Sequence, residues 1–202
     1  MGGSILKANQ AAGTYYAAMG LVGHVNELGP HFDLTDLSRL TSDGHELGSH
    51  TFDHVSGRAM QPDEFLKNAT EGCCRLQEVA GNTAGQHFSY PFGHATLRLK
   101  PLLGSKFATC RGIVPGLNAS PADLNLLRAN SIYSYSFDPA AIEVLLRTAK
   151  EKEAWAIFYT HDVADKPSKY GCTPLQLEQV VRMAKKFSLS IRTIGEVVPS
   201  SR

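Results

Sequence analysis

An α/β fold is what this 202-residue sequence predicts. Short apolar or aromatic runs alternate with amphipathic segments along the chain, the pattern of repeated βα units around a parallel sheet. Length and a hydrophobic content of 43% suffice for one substantial core and suit a single α/β barrel domain over residues 1–202. No low-complexity stretch, internal repeat or linker divides the chain.

In order, residues 4–10 read as the end of a helix and residues 13–19 as a strand, followed by a short helix over 34–41 and a strand over 46–51. Pro62-Asp63-Glu64 then places proline and two acids in a helical first turn. Phe65, Leu66, Ala69, Cys73, Leu76 and Val79 recur at helical spacing until Gly81 stops the run. Strands follow over 87–91, 107–111 and 126–133. Asp138 before Pro139 opens a helix to about Lys150, and residues 154–161 form the next strand. Thr173-Pro174 with Gln176 supplies an N-cap, a proline at the first helical position and a capping-box acceptor for a helix to about Phe187. Residues 188–193 complete a set of seven strands.

Composition excludes several classes of partner. A net charge of +1, from 20 basic and 19 acidic residues scattered along the chain, offers no basic stripe for nucleic acid. No apolar run approaches the roughly 20 residues that span a bilayer, so no membrane partner is expected. Met1-Gly2-Gly3-Ser4-Ile5-Leu6-Lys7 lacks the basic-then-apolar layout of a signal peptide, so the sequence leaves the compartment open and reads as cytoplasmic only as written. Cys73, Cys74, Cys110 and Cys172 fit neither a zinc ribbon nor a redox pair, and read as free thiols, mostly buried.

The chemistry gathers at strand ends. In Ser49-His50-Thr51-Phe52-Asp53-His54 two histidines lie four apart just after a strand-like run, a spacing that can aim both imidazoles at one divalent ion. The same spacing also suits two helix-face or loop histidines bonded to backbone. Tyr90-Pro91-Phe92-Gly93 and His161-Asp162 end two further strands, and active sites of α/β folds form at that rim. A catalytic zinc usually takes three protein ligands, so the pair asks for a third.

These motifs resemble those of polysaccharide deacetylases of carbohydrate esterase family 4. The resemblance covers nearly the whole chain and rests on an ordered set: Gly13-Thr14-Tyr15-Tyr16, Gly44 through His54, Ser89-Tyr90-Pro91-Phe92-Gly93, and Phe158-Tyr159-Thr160-His161-Asp162. It implies a distorted (β/α)7-8 barrel and a metal-dependent hydrolase that removes N-acetyl groups from a carbohydrate polymer or oligomer. A divalent ion, zinc before others, would be held by His50 and His54, with His161 protonating the departing amine. The backbone at Phe92 would help hold the oxyanion. Tyr90, Pro91 and Phe92 would line the substrate side, Asp162 and Arg111 would act as auxiliaries, and Tyr170 is a candidate sugar contact on a loop that either closes over the groove or simply connects to the next helix.

Two departures accompany the resemblance. The family's first motif, an aspartate pair serving as metal ligand and base, has no counterpart, and its strand would lie upstream of Met1. The chain therefore reads as an N-terminally truncated barrel whose first strand is missing, with a weakly held or absent metal and lowered or lost turnover. An absent strand would also leave an edge for self-association. Ser89 stands where the third motif commonly carries arginine, and Arg111 is a possible substitute. Asp53 would project away from both histidines, while Asp162 would orient an imidazole. A non-catalytic carbohydrate-binding barrel and an amide hydrolase of small metabolites are the alternative readings.

Overall fold

The computed structural model describes residues 1–27 and 29–198. Its first elements are α1 (Gly2–Ala8), β1 (Thr14–Ala17), β2 (Val25–Asn26), β3 (Gly29–Pro30), α2 (Leu34–Ser42), β4 (Glu46–Ser49), α3 (Pro62–Ala80), β5 (His87–Ser89), α4 (Leu99–Lys106) and β6 (Thr109–Arg111). There follow β7 (Leu117–Asn118), β8 (Asn130–Ser131), α5 (Pro139–Glu151), β9 (Trp155–Ala156), β10 (Phe158–Tyr159), α6 (Pro174–Lys186) and α7 (Ile194–Val197). The chain divides into two compact units.

The first unit comprises Gly13–Gly112, Leu124–Leu127 and the segment from Thr193. Its centre is a parallel sheet in the order β1-β4-β5-β6. Strand alternation sorts the residues onto two faces. On one face Ala17, Leu47, Phe88 and Cys110 are buried against Leu37 of α2, Phe65, Ala69 and Leu76 of α3, and Leu103 of α4. The other face is polar and lies in successive rows set by the register. Thr14 pairs with Glu46 in one; in the next Tyr16 pairs with Gly48, which lies beside His87 because Ser49 pairs with Phe88, and His87 pairs with Thr109; Ser89 pairs with Arg111 in the row after.

Across the first two rows Thr14 Oγ1 donates to Glu46 at 2.5 Å, His87 Nδ1 meets Thr109 Oγ1 at 3.0 Å, and His87 Nε2 reaches diagonally to within 3.6 Å of Glu46. The backbone amides of Ile194 and Gly195 donate to Thr14 and Glu46, which seats α7 against the sheet. The Tyr16 ring lies over Gly48, and the Arg111 guanidinium of the next row sits 5.1 Å from that ring.

The second unit comprises Met1–Ala12, Ile113–Asp123 and Arg128–Arg192. Its core joins Ile132, Ile142, Leu146, Cys172, Val180 and Ala184, with α5 and α6 presenting their apolar sides. Both helices start as their caps direct. Asp138 accepts from Ala140 and Ala141, and Thr173 exchanges hydrogen bonds with Gln176.

Four of the expected strands hold in place and three do not. Residues 126–133 form only a bridge from Leu127 to Arg111 and the two residues of β8, which pairs with β10. Residues 154–161 break into β9 and β10. Side-chain amides replace the ladder there: Asn118 bonds the carbonyl and amide of Arg128, and Asn130 bonds the carbonyls of Gly116 and Ile157. Residues 188–193 carry no strand, because Ser188, at φ 55°, and Leu189 turn back onto the end of α6 and Thr193 caps α7. The helices α4 and α7 were not expected from the pattern.

Candidate metal centre and active site

His50 follows β4 directly. Its backbone amide donates to Ala17, and its Nδ1–H donates to the Ser89 carbonyl at 2.6 Å. That bond places the ring's lone pair on Nε2, the arrangement in which histidine ligates a metal. The chain then turns sharply, with Thr51 at φ 65° and His54 at φ 56°, and this brings the His54 ring to 4.8 Å from that of His50. Phe92 takes φ 57° in the turn Pro91–Gly93 and lays its exposed ring 4.8 Å from His54. Three non-glycine residues in the left-handed region within one cluster is a concentration of strain found mainly at functional sites.

Two features of α3 hold this turn. Asn68 Oδ1 accepts from the amides of Phe52 and Asp53, and Asn68 Nδ2 donates to Asp53 at 2.6 Å. Asp53 is thus directed to α3, consistent with its expected projection away from the histidines. Gly72 lets the helix touch the turn: a Cβ there would stand 2.4 Å from the Thr51 carbonyl oxygen. Mid-helix glycine was the available sequence signal for this close approach, and Asn68 offered none.

Beneath the histidines, Arg111 is buried and donates to the Ser89 hydroxyl at 2.5 Å and to the Gly112 carbonyl at 3.0 Å. It therefore braces the residue whose carbonyl orients His50. Burial pushes the Tyr16 phenol far above its ordinary pKa, with Arg111 opposing the shift. Tyr90 and Pro91 belong to the interior: Tyr90 is 1% exposed and its hydroxyl donates to Asn125. Their side chains line the core, and among the three expected substrate-side residues Phe92 is the one that reaches the surface.

In the second unit His161 stands among tyrosines, 5.8 Å from Tyr133, 6.4 Å from Tyr159 and 5.5 Å from Tyr170. Its backbone amide donates to the Tyr170 carbonyl. Asp162 accepts from the amide and the hydroxyl of Ser168, which closes the loop between Asp162 and Gly171. The carboxylate is thereby engaged within its own loop.

The two imidazoles suit two positions of a divalent-metal site. Among the described residues no group of three His, Cys, Asp or Glu side chains converges, so the donor set is one short of the usual catalytic three.

A family profile for polysaccharide deacetylase matches residues 4–105, just over half of the chain. The chain belongs to the polysaccharide deacetylase family. Solved structures agree on the fold. A family 4 acetyl xylan esterase from Clostridium thermocellum, in complex with a cobalt ion, superposes with a TM-score of 0.63 at 20% identity, covering 96% of this chain and 80% of that one. A Mycobacterium smegmatis protein assigned as a polysaccharide deacetylase gives 0.64 at 16% identity, covering 98% and 74%. A family 4 carbohydrate esterase from Streptomyces lividans, in complex with acetate, gives 0.62 at 11% identity, covering 94% and 82%. At these identities the likeness establishes the (β/α)-barrel fold class of the deacetylases. Two other matched structures are spanned less fully, 36% of a Bacillus anthracis protein assigned as a polysaccharide deacetylase and 53% of IcaB from Ammonifex degensii. No curated protein matches the chain by sequence.

Proposed function

We propose that this chain carries a deacetylase-type site that removes N-acetyl groups from a carbohydrate. The observation that supports it best is the His50–His54 pair at the end of β4, with the His50 ring turned by the Ser89 carbonyl, in a chain of this family. His50 and His54 would hold a divalent ion, zinc or a similar metal, which when bound polarises the acetyl carbonyl and makes its water more acidic. His161 donates a proton to the departing amine nitrogen, and the Phe92 backbone amide donates to the developing oxyanion.

A base for the attacking water is assigned to neither Asp53 nor Asp162, whose carboxylates bond Asn68 and Ser168. That engagement favours a second reading, in which the chain binds metal and glycan without turnover. Calorimetric titration with Zn²⁺ and acetate release from an N-acetylglucosamine tetramer separate the two. Deacetylation requires bound metal and released acetate; the second reading requires a bound tetramer with no acetate. In either case His50→Ala or His54→Ala is expected to abolish metal binding, whereas His161→Ala keeps the metal and removes any acetate release. Metal retained after both ligand changes would overturn the assignment.

A further inference from the structure

Tyr133 is the hub of an aromatic group of which the deacetylase resemblance offers only Tyr170 as a candidate sugar contact. Buried itself, it lies 5.9 Å from Tyr135 at an interplanar angle of 31°, and 5.7 Å from Tyr170 at 68°. Tyr159 packs against it edge-on at 5.6 Å. The outer members are open to solvent, Tyr135 at 67% and Tyr170 at 37% exposure.

Both are nonetheless held on short, bonded segments. Tyr135 sits in the helical turn Ser134–Ser136, whose first amide donates to the Gly171 carbonyl at 2.9 Å. The loop bearing Tyr170 is tied by the Asp162–Ser168 bonds and by backbone bonds between Asp162 and Cys172 and between Ala164 and Cys172. Gly171 is required for that closure, since a Cβ there would fall 2.3 Å from the Asp162 carboxylate. Exposed tyrosine faces already held in place lose little further entropy when a ligand arrives. A tyrosine offers an apolar face with a polar rim, and a pyranose offers an apolar C–H face with a rim of hydroxyls.

We propose that Tyr135 and Tyr170, both seated on the buried Tyr133, form a stacking platform beside His161 for a pyranose ring of an N-acetylated glycan. This rests on the carbohydrate reading above and assigns it a sugar subsite. Affinity for an N-acetylglucosamine tetramer is measured by calorimetry on the full chain, with the fold of each variant checked by circular dichroism.

Tyr135→Ala and Tyr170→Ala are each expected to weaken binding about 3- to 10-fold, the range of one aromatic contact. Tyr135→Phe, which keeps the face and removes the hydroxyl, should stay within about twofold of the wild type. A wild type that binds the tetramer while both alanine variants bind it equally well overturns the platform and leaves the carbohydrate reading standing. Equal losses in Tyr135→Phe and Tyr135→Ala overturn stacking as the mode of contact. A wild type with no saturable binding overturns the platform and the carbohydrate reading together.

Discussion

Gly48 shows how one absent side chain shapes the polar face of the sheet. A Cβ at this position would stand 2.5 Å from Tyr16 Cδ1 and 3.0 Å from the His87 carbonyl oxygen. Tyr16 cannot yield cheaply, because it carries the buried Arg111 guanidinium over its ring, and Arg111 in turn holds Ser89. Gly48→Ala should therefore behave as overpacking, with a loss of about 1–3 kcal/mol in urea denaturation. A parallel fall in metal affinity is expected, since Ser89 presents the carbonyl that orients His50. Unchanged stability in Gly48→Ala would show that the Tyr16–Arg111 stack is loose. At this scale the sequence already placed the His50–His54 pair and Phe92 just past strand ends, where β4 and β5 carry them. It did not reveal that Tyr90 lies in the core, because an aromatic after a strand is equally compatible with rim and interior.

Among the elements, α3 decides the geometry of the histidine turn. Its amphipathic pattern, proline start and glycine stop were all legible. Gly72 within it presents two effects of opposite sign. Alanine is the better helix former by about 1 kcal/mol, which alone would stabilise Gly72→Ala. Sterics oppose this, since the new Cβ meets the Thr51 carbonyl at 2.4 Å and the Phe52 amide at 2.8 Å, both backbone atoms. Backbone contacts that short are relieved only by moving the turn, so the steric effect should win. Gly72→Ala is expected to keep its helical circular dichroism, melt at lower temperature and bind Co²⁺ with an altered visible spectrum. A higher melting temperature with an unchanged spectrum would refute the close approach.

For the whole molecule, the chain of polar contacts from Thr14 through Glu46 and His87 to Thr109 ties β1, β4, β5 and β6 to α7. Burial lowers the pKa of His87, and the nearby Glu46 only partly opposes this. A histidine whose folded-state pKa is depressed resists protonation in the native state, so its contribution to stability is present above its ordinary pKa of about 6.5 and is lost as pH falls through the depressed value. Denaturation midpoints should drop between pH 7.5 and pH 5, and His87→Gln should flatten part of that slope while lowering stability at pH 7.5. An identical slope in the variant would assign the acid sensitivity to other groups.

What the sequence determined by itself was local and periodic: the helices with strong caps, the strands with clear alternation, and the histidine pair at a strand end. These signals are carried by residues within a few positions of one another, so no tertiary contact is needed to read them. Only the folded chain decided that Ser89 turns His50, that Arg111 stacks on Tyr16, that Asp162 closes its own loop and that side-chain amides of Asn118 and Asn130 interrupt the later strands. Each of those pairings joins positions whose neighbourhood is set by strand register or loop closure, and a hydrogen bond between such partners leaves no periodic trace in the chain.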